Sequence, residues 1–581
     1  MPFSPGAARG RTRRRKDCIV KEYSNGVAPS VNEPLQPVAE TFGRGAERLG
    51  ELHLSVRRLL VFVLMSLVFV LAARPISDPD FWWHLRAGKL IFETRAIPHA
   101  DIFSSTFYGR EWVAHEWLSE VLMYSIHQAL GYAGLVVCFA LVISAAMWVA
   151  YRRCAAVAGH PYVAGFAVLL GALAASPTWS VRPQMFSFLF ASVFLAVLDG
   201  YVRWGSRRAV CWLVPLTALW VNMHAGFALG LALIALTVAG LVLDSWLSDG
   251  GRTRRNQSGG DEGRDNSSDE SDGNNQSCGD GSDGKSLSNV SDGSPLWRRV
   301  GPLALVFAAC LMAVALNPNG VRLYLYPFET LTSRAMMKYI NEWLSPDFHE
   351  LMFQPLALLL FATFAAMILS RGRVRPSSLL LLAATGYAAL RSGRNVPFFA
   401  LAAMPLLAEH SWRWLTRQTW GAWLARPEKR EAGAGVKVVL NIALFVAAPL
   451  ALAFLRVGQV AARQASDEAR NFPVAAVEFM RANRLPQPVF NEYGWGGYMI
   501  WNLYPDYRVY IDGRADVYGD DYLEEFLHTH DGVANWRAPL EREAVRTVFV
   551  NPDAPLASLL RQDAGWRKVF EDGQAVIFVR E

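Results

Sequence analysis

The stretch Asp78-Pro-Asp-Phe-Trp-Trp-His84 begins shortly after the apolar run Leu59–Ala73 ends. That run approaches the ~20 residues that a helix needs to cross a bilayer, so two carboxylates and an imidazole lie where a predicted membrane helix ends. Ionisable groups at this depth are costly and therefore indicate a functional site. The alternative is a structural role, in which Trp82 and Trp83 anchor the chain among lipid headgroups and Asp78 caps a helix.

The composition is that of a membrane protein. The 581-residue chain is 52% hydrophobic and 19% charged, whereas soluble proteins have about 25% charged residues. Lys and Arg lie between apolar segments, so the net charge of +6 reflects membrane topology and does not indicate nucleic-acid binding. The apolar segments predict a mainly α-helical polytopic bundle of eleven spans, at approximately 58–74, 133–151, 161–178, 184–201, 209–222, 225–247, 299–316, 353–370, 376–391, 395–410 and 437–456.

The basic residues predict the orientation of this bundle. Arg57 and Arg58 precede the first span, which places the N-terminus in the cytoplasm. The loops that then fall inside carry further arginines, and an odd number of spans places residues 457–581 outside. The segment 209–247 could form one long span or two spans broken at Asn222–Gly226. Two spans are preferred, because a single span would place every later loop on the opposite side of the membrane and break the agreement with the basic residues.

The predicted domains follow from these segments. Residues 1–56 form a disordered cytoplasmic N-terminus, residues 57–456 the membrane domain, and residues 457–581 a small α/β domain outside the membrane. The Asp- and Ser-rich segment 249–296 interrupts the membrane domain as a disordered acidic cytoplasmic linker, because it has too few apolar residues to form a core. In the last domain, apolar runs predict strands at 489–490, 508–512, 547–551 and 576–579, and an amphipathic helix at 471–483.

Unusual polar motifs collect in the loops that are predicted to lie outside. The first of these loops, 75–132, is too long for a simple connection, and its segments 81–94 and 112–130 have the apolar spacing of interfacial helices. The positive-inside bias disfavours arginine on the outer side, so arginines there suggest anion binding. The outer motifs contribute Asp78, Asp80, His84, His115, Glu116, Arg182, His224, Arg391 and Arg394.

These motifs carry a resemblance to a known superfamily. A first span followed by a long outer loop, with an acidic residue at its head and two juxtamembrane helices, resembles the C-type glycosyltransferases. Protein O-mannosyltransferases, aminoarabinose transferases and oligosaccharyltransferases share that arrangement. Bacterial polytopic membrane proteins placed near that superfamily are similar in the stretch from Asp78 to Gly88, in His115-Glu-Trp-Leu-Ser-Glu120, and in the tail motifs Phe490–Tyr498 and Tyr510–Asp516.

The resemblance implies a reaction and its partners. A hexosyl or pentosyl group would pass from a polyprenyl-phosphate carrier to a glycan, lipid or protein acceptor of the cell envelope. The protein would lie in the bacterial inner (cytoplasmic) membrane, in contact with membrane lipids. An acceptor hydroxyl must lose its proton to a nearby carboxylate, for which Asp78 and Asp80 are the first candidates and Glu116 is the second.

The leaving phosphate needs cationic partners. Arg182, Arg391 and Arg394 are the candidates, because a guanidinium can bind two phosphate oxygens at once. Asp512 and Arg514 follow a predicted strand and could bind the acceptor, or could form a buried ion pair that fixes their loop. Further candidate substrate contacts are His84, His115 and His224.

Other chemistries stay open at this stage. His84, His115 and Glu116 could bind a divalent metal such as zinc or manganese, although their spacing is not diagnostic and no metal ligand is assigned. A transporter or lipid flippase would place polar residues in broken helices, which the Asn222–Gly226 segment fits. A non-catalytic membrane scaffold with an outer binding domain is the third possibility.

Overall fold

The computed structural model describes residues 56–257, 295–419, 421, 440 and 443–581. The predictions for the N-terminal segment up to residue 55, and for most of the acidic linker, lie outside these residues. The helix Phe227–Gln257 continues past the predicted start of the linker at 249. The domain boundaries stay predictions, since the helix Ala448–Asn471 also runs across the predicted boundary at 456.

Helices make up most of the described chain. Each of the eleven predicted spans overlaps a helix, and a break at His224–Gly226 separates two helices as predicted. The helices are Val56–Ala72, Phe81–Thr94, Trp117–Ala158, Pro161–Ala175, Gln184–Trp204, Arg207–Val210, Leu213–Met223, Phe227–Gln257, Leu296–Ala313, Tyr326–Thr332, Arg334–Tyr339, Gln354–Ser370, Pro376–Arg391, Val396–Leu415, Ala448–Asn471, Val474–Asn483, Gly496–Leu503, Ala515–Tyr518, Asp520–His530, Arg537–Arg542 and Pro555–Leu560.

The helical bundle has the character of a membrane domain. The prediction of a mainly helical polytopic membrane protein is confirmed, whereas the number of eleven spans stays a prediction. Within the described residues, seven helical stretches have the length and apolar composition needed to cross a membrane: Trp117–Ala158, Pro161–Thr178, Gln184–Trp204, Phe227–Leu247, Leu296–Leu316, Leu351–Ser370 and Ala443–Asn471.

The long first loop contains the two helices that the sequence predicts. The first loop helix, Phe81–Thr94, packs against the start of the helix Trp117–Ala158, which bends at Gly131 (φ 64°, ψ −161°). The second interfacial segment therefore continues directly into the next span. A Cβ atom on Gly88 would overlap the carbonyl oxygen of Glu120, so the two helices meet at a contact that only glycine permits.

Replacing Gly88 with alanine should lower the thermal unfolding midpoint of the purified protein in detergent. Overpacking of a close contact costs about 1–3 kcal/mol. Gly301→Ala is a matched control, because Gly301 also lies in a helix and no described atom lies within 4 Å of its Cβ position. An equal decrease of the unfolding midpoint in the two variants would contradict the close packing of the two loop helices.

The C-terminal part of the chain forms a four-stranded mixed sheet, as the predicted α/β domain requires. Its strands are β1 (Val489–Asn491), β2 (Thr547–Val550), β3 (Trp566–Glu571) and β4 (Val576–Arg580), in the order β1-β2-β4-β3. β1 and β2 are parallel, and the other neighbouring pairs are antiparallel.

One predicted strand is wrong and one was missed. Residues 508–512 do not join the sheet, because Val509 pairs with the first loop: its N–H donates to the Phe103 carbonyl (3.0 Å) and its carbonyl accepts from the Ser105 N–H (2.8 Å). β3 was missed because half of its side chains are exposed and it has no buried apolar run.

A buried arginine joins the first loop to the C-terminal domain. The Arg514 guanidinium pairs with Asp512 (Nη2 to Oδ2, 2.6 Å) and with Asp101 of the first loop (Nη1 to Oδ1, 2.8 Å). Its central carbon lies 5.1 Å from the ring centre of Phe103 and 4.7 Å from that of Trp112. All of these groups are buried, so the first loop and the C-terminal domain share one desolvated charge network.

Arg514→Met should destabilise the protein by about 3–5 kcal/mol, because it leaves two buried carboxylates without a counter-charge. Arg542→Met is the control: Arg542 pairs with Glu525 at 2.6 Å, but the arginine side chain is 50% exposed, and such pairs contribute about 0–1 kcal/mol. Equilibrium unfolding in detergent measures both. If Arg514→Met lowers the free energy of unfolding no more than the control does, Arg514 does not join the first loop to the C-terminal domain in the way described.

Candidate functional site

A cavity of about 1120 Å³ lies between the first loop, the C-terminal domain and the ends of several helices. All of the predicted site residues except Arg391 and Asp512 line it. The sequence places these residues in separate loops, and the fold brings them to one enclosed space. The geometry of the cavity therefore determines which of them act together.

Arg182 holds three carboxylates in one wall of the cavity. Its Nη2 lies 2.6 Å from Asp80 Oδ2, its Nη1 lies 3.2 Å from Asp78 Oδ2, and Nη1 also pairs with Glu342. Arg182 precedes the helix Gln184–Trp204, and Glu342 lies in the 3₁₀ turn Asn341–Trp343. Glu342 was not assigned to the site from the sequence, because only the fold brings it to Arg182.

Asp80 has the protonation behaviour of a general base. Burial raises the pKa of Asp80 to about 7, against the opposing attraction of Arg182 and with a further contribution from the Asp78 and Glu342 carboxylates. Its side chain remains 21% exposed and lies against Gly513, where a Cβ atom would overlap Asp80 Oδ1. A carboxyl group with a pKa near neutrality that lines a cavity is a candidate for accepting a proton.

Asp78 has a different role in the same wall. Its Oδ1 accepts the backbone N–H of Asp80 at 3.0 Å, so it shapes the turn that precedes the first loop helix. Burial raises the pKa of Asp78 as well. The side chain of Asp80, which is the residue before the helix, makes no capping hydrogen bond, and the carboxylate is thus available to the cavity.

The alternative interpretation of Trp82 and Trp83 as headgroup anchors is wrong. Both side chains are buried, at 0% and 8% exposure. Trp82 packs edge-to-face against Phe472 and Tyr498, with ring centres 5.4 and 5.0 Å apart. Aromatic residues of the C-terminal part of the chain cover Trp82, and Gly497 and Gly513 lie against Trp83. The local sequence does not reveal these contacts.

Glu116 is surrounded by imidazoles. Its Oε1 lies 3.1 Å from His115 Nε2 and 3.4 Å from His224 Nε2, and its Oε2 lies 3.4 Å from His84 Nδ1. Burial opposes ionisation of Glu116, but the neighbouring imidazoles hold its pKa well below the usual range. Glu116 therefore stays ionised at neutral pH and is a weaker base than Asp80.

The three histidines differ in protonation. Burial lowers the pKa of His84 to about 3 and that of His224 to about 4. The Gly226 N–H donates to His224 Nδ1 at 2.8 Å, so the ring proton lies on Nε2, which faces Glu116. Burial opposes protonation of His115, yet the Glu116 carboxylate raises its pKa.

The candidate phosphate ligands separate into two groups. Arg394 lines the cavity, with its guanidinium 4.4 Å from the ring centre of Trp343. Arg391 is exposed, is not among the cavity-lining residues and contacts the Tyr387 hydroxyl at 3.4 Å. Its predicted role has no support from this position.

Two further arginines line the cavity and were missed in the sequence. Arg74 Nε donates to the Leu71 carbonyl (3.1 Å) and Arg456 Nε donates to the Ala73 carbonyl (2.9 Å). Among the described residues, neither has a carboxylate within 4.0 Å. Burial, and next the nearby Arg456 charge, lower the pKa of Arg74. Each arginine resembles an ordinary charge at the end of a span, so only the fold reveals the pair.

Asp512 and Arg514 form the buried ion pair that the sequence left open as an alternative. Asp512 also accepts the Tyr518 hydroxyl at 2.7 Å, and it does not line the cavity. The glycines of the neighbouring tail motif approach protein backbone: a Cβ atom on Gly497 would crowd the Pro79 carbonyl. These tail motifs therefore hold the C-terminal domain against the Asp78–Asp80 turn.

The comparisons with known proteins are structural. No protein-family model and no curated protein sequence matches the chain. The archaeal oligosaccharyltransferase AglB from Archaeoglobus fulgidus, in complex with an inhibitory peptide and a dolichol-phosphate, is 13% identical, with a TM-score of 0.45, and the match covers 90% of this chain and 74% of that chain. ArnT from Cupriavidus metallidurans bound to undecaprenyl phosphate is 14% identical, with a TM-score of 0.42 and coverage of 89% and 97%.

AglB and ArnT are both C-type glycosyltransferases. Their TM-scores are below 0.5, so we base the function proposed below on the geometry of the site.

Proposed function

We propose that the protein is a membrane glycosyltransferase that moves a sugar from a polyprenyl-phosphate carrier to an acceptor hydroxyl on the outer face of the membrane. The observation that carries this proposal is the position of Asp80 in the cavity, where burial raises its pKa to about 7. The donor class includes dolichol-phosphate and undecaprenyl phosphate, which are bound to AglB and ArnT respectively.

The reaction assigns a task to each group. The acceptor oxygen forms a bond to the anomeric carbon of the sugar, while the bond from that carbon to the phosphate oxygen breaks. Asp80 accepts the proton of the acceptor hydroxyl, as a base with a pKa near the working pH does best. The electron pair of the broken bond leaves with the polyprenyl phosphate.

Cationic side chains support the leaving phosphate. Arg394, Arg74 and Arg456 line the cavity, and among the described residues none of them has a carboxylate within 4.0 Å. A guanidinium that is free of carboxylates can bind phosphate oxygens through two parallel hydrogen bonds. Arg182 already pairs with three carboxylates, so it is a positioning residue for Asp80 in this proposal.

Asp80 is preferred over Asp78 and Glu116 as the base. Asp78 binds the Asp80 backbone N–H, and Glu116 has a pKa held below the usual range by its imidazole neighbours. A group that stays ionised through a strong neighbour interaction gains little by taking a proton. Of the three carboxylates that the sequence offers as bases, Asp80 therefore best combines a pKa near neutrality with a partly exposed side chain that lines the cavity.

Asp80→Asn should reduce sugar transfer by about 10²-fold or more, because the amide cannot accept the proton. In the wild type the rate should rise with pH through about 7, since only the ionised form of Asp80 acts as the base. Transfer of radiolabelled sugar from the cell's own polyprenyl-phosphate pool in membrane vesicles measures both effects.

Asp347→Asn is the matched control, because Asp347 lies a few residues from Glu342 but is 57% exposed and pairs only with His349 among the described residues. This variant should transfer sugar at the wild-type rate with an unchanged pH profile. Undiminished transfer by Asp80→Asn, at equal amounts of protein in the membrane, would exclude Asp80 as the base.

The transporter alternative has one supporting feature, the helix break between Met223 and Phe227. In the structure, however, the residue at this break contacts the cavity carboxylate Glu116: His224 Nε2 lies 3.4 Å from Glu116 Oε1, and His224 Nδ1 accepts a hydrogen bond from the Gly226 N–H. A broken helix that positions a side chain in an existing cavity does not require a transport pathway. The transferase is therefore the function that the geometry favours.

A further inference from the structure

A second group of side chains lines the cavity and takes no part in the proposed proton transfer. His84 comes from the first loop helix, while Glu116 and Glu120 lie one turn apart at the start of the next helix. Residues four apart share one face of a helix, so both carboxylates point to the same imidazole. His84 Nδ1 lies 3.1 Å from Glu120 Oε1 and 3.4 Å from Glu116 Oε2.

Glu120 leaves one carboxylate oxygen without a partner. The residue is 1% exposed, and its Oε2 has no hydrogen-bond partner among the described residues. An unsatisfied polar atom in the interior costs about 1–3 kcal/mol. A cation bound at the Glu120 carboxylate would supply the partner that Oε2 lacks.

The spacing of the cluster fits a metal ion. The candidate ligand atoms of His84, Glu116 and Glu120 all lie within 4.8 Å of one another. A tetrahedral zinc ion has bonds of about 2.0–2.1 Å, which separate neighbouring ligand atoms by about 3.3 Å. The two separations from His84 Nδ1, 3.1 and 3.4 Å, are close to that value.

Neighbouring histidines orient the cluster from outside. His115 Nε2 and His224 Nε2 lie against Oε1 of Glu116, which leaves its Oε2 directed towards His84. The Gly226 N–H and the Ser187 hydroxyl in turn contact His224 Nδ1, each at 2.8 Å. Metal sites commonly have such an outer layer, which fixes the rotamers of the ligands.

We propose that His84, Glu116 and Glu120 bind a divalent transition-metal ion of the zinc type. Imidazole and carboxylate together favour such ions, whereas magnesium and calcium prefer ligand sets made only of oxygen. The proposal depends on the cluster alone and holds whether or not the protein transfers sugar. His115 and His224 are positioning residues for Glu116 in this arrangement.

The test uses the full chain, purified in detergent, stripped with a chelator and titrated with Zn²⁺ alone. Mass spectrometry of the elements, after removal of unbound metal, should find about one zinc ion per chain, as one three-residue cluster requires. His84→Gln and Glu120→Gln should each weaken zinc binding by about 10-fold or more, because each removes a ligand. Magnesium and calcium in excess should not displace the ion.

His530→Gln is the matched control. His530 Nε2 pairs with Glu492 Oε2 at 3.0 Å, so it offers a similar histidine–carboxylate contact outside the cluster, and its replacement should leave zinc binding unchanged. X-ray absorption of the zinc-loaded wild type, which needs no variant to fold, should show nitrogen and oxygen scatterers at about 2.0–2.1 Å with an imidazole pattern.

Either of two results would overturn the metal site. One is a wild-type protein that retains no more zinc than His84→Gln or Glu120→Gln at equal folded amounts, as judged by gel filtration. The other is an absorption spectrum with oxygen ligands alone, which would indicate zinc bound elsewhere on the chain. Both results leave the role of Asp80 in transfer untouched.

Discussion

A single guanidinium is the counter-charge for three carboxylates that come from distant parts of the chain. Arg182 pairs with Asp78, Asp80 and Glu342, and desolvation makes each of these charges expensive without it. Three negative charges cannot all be neutralised by one positive charge. Burial raises the pKa of Asp80 to about 7, and repulsion from the other two carboxylates adds to this effect, so the cavity has a carboxyl group that can exchange a proton.

The C-terminal domain contributes close backbone contacts to this site. Gly513 lies directly against the Asp80 carboxylate, and Gly497 lies against the Pro79 carbonyl. Arg514 fixes the same segment to Asp101 in the first loop. The tail motifs therefore hold the Asp78–Asp80 turn in place, and the bundle and the domain share one site.

The sequence predicts the helical bundle well, because long apolar runs and flanking arginines are strong local signals. It also predicts that Asp80, Glu116, Arg182 and Arg394 lie in outer loops, whereas the fold shows that all four line one cavity. It does not predict contacts that depend on the fold. In the local sequence Trp82 resembles a headgroup anchor, but in the structure Phe472 and Tyr498 cover it.

The same limit explains the missed and misplaced residues. Arg74 and Arg456 are far apart in the chain and each has the local pattern of a flanking charge, yet both bind carbonyls at the end of the first helix. Residues 508–512 have the pattern of a buried strand, but Val509 pairs with the first loop instead of the sheet. Such pairing partners are determined by the tertiary structure, and the periodicity of the sequence does not predict them.

The most direct test of the central claim follows the fate of the lipid carrier. The purified full chain, in lipid nanodiscs with an envelope acceptor fraction, would be given polyprenyl phosphate that carries a radiolabelled sugar. The account predicts that free polyprenyl phosphate and labelled acceptor appear in equal amounts within a single turnover. Carrier that keeps its sugar while it is bound by the protein or moved across the bilayer would contradict transfer and favour a transporter.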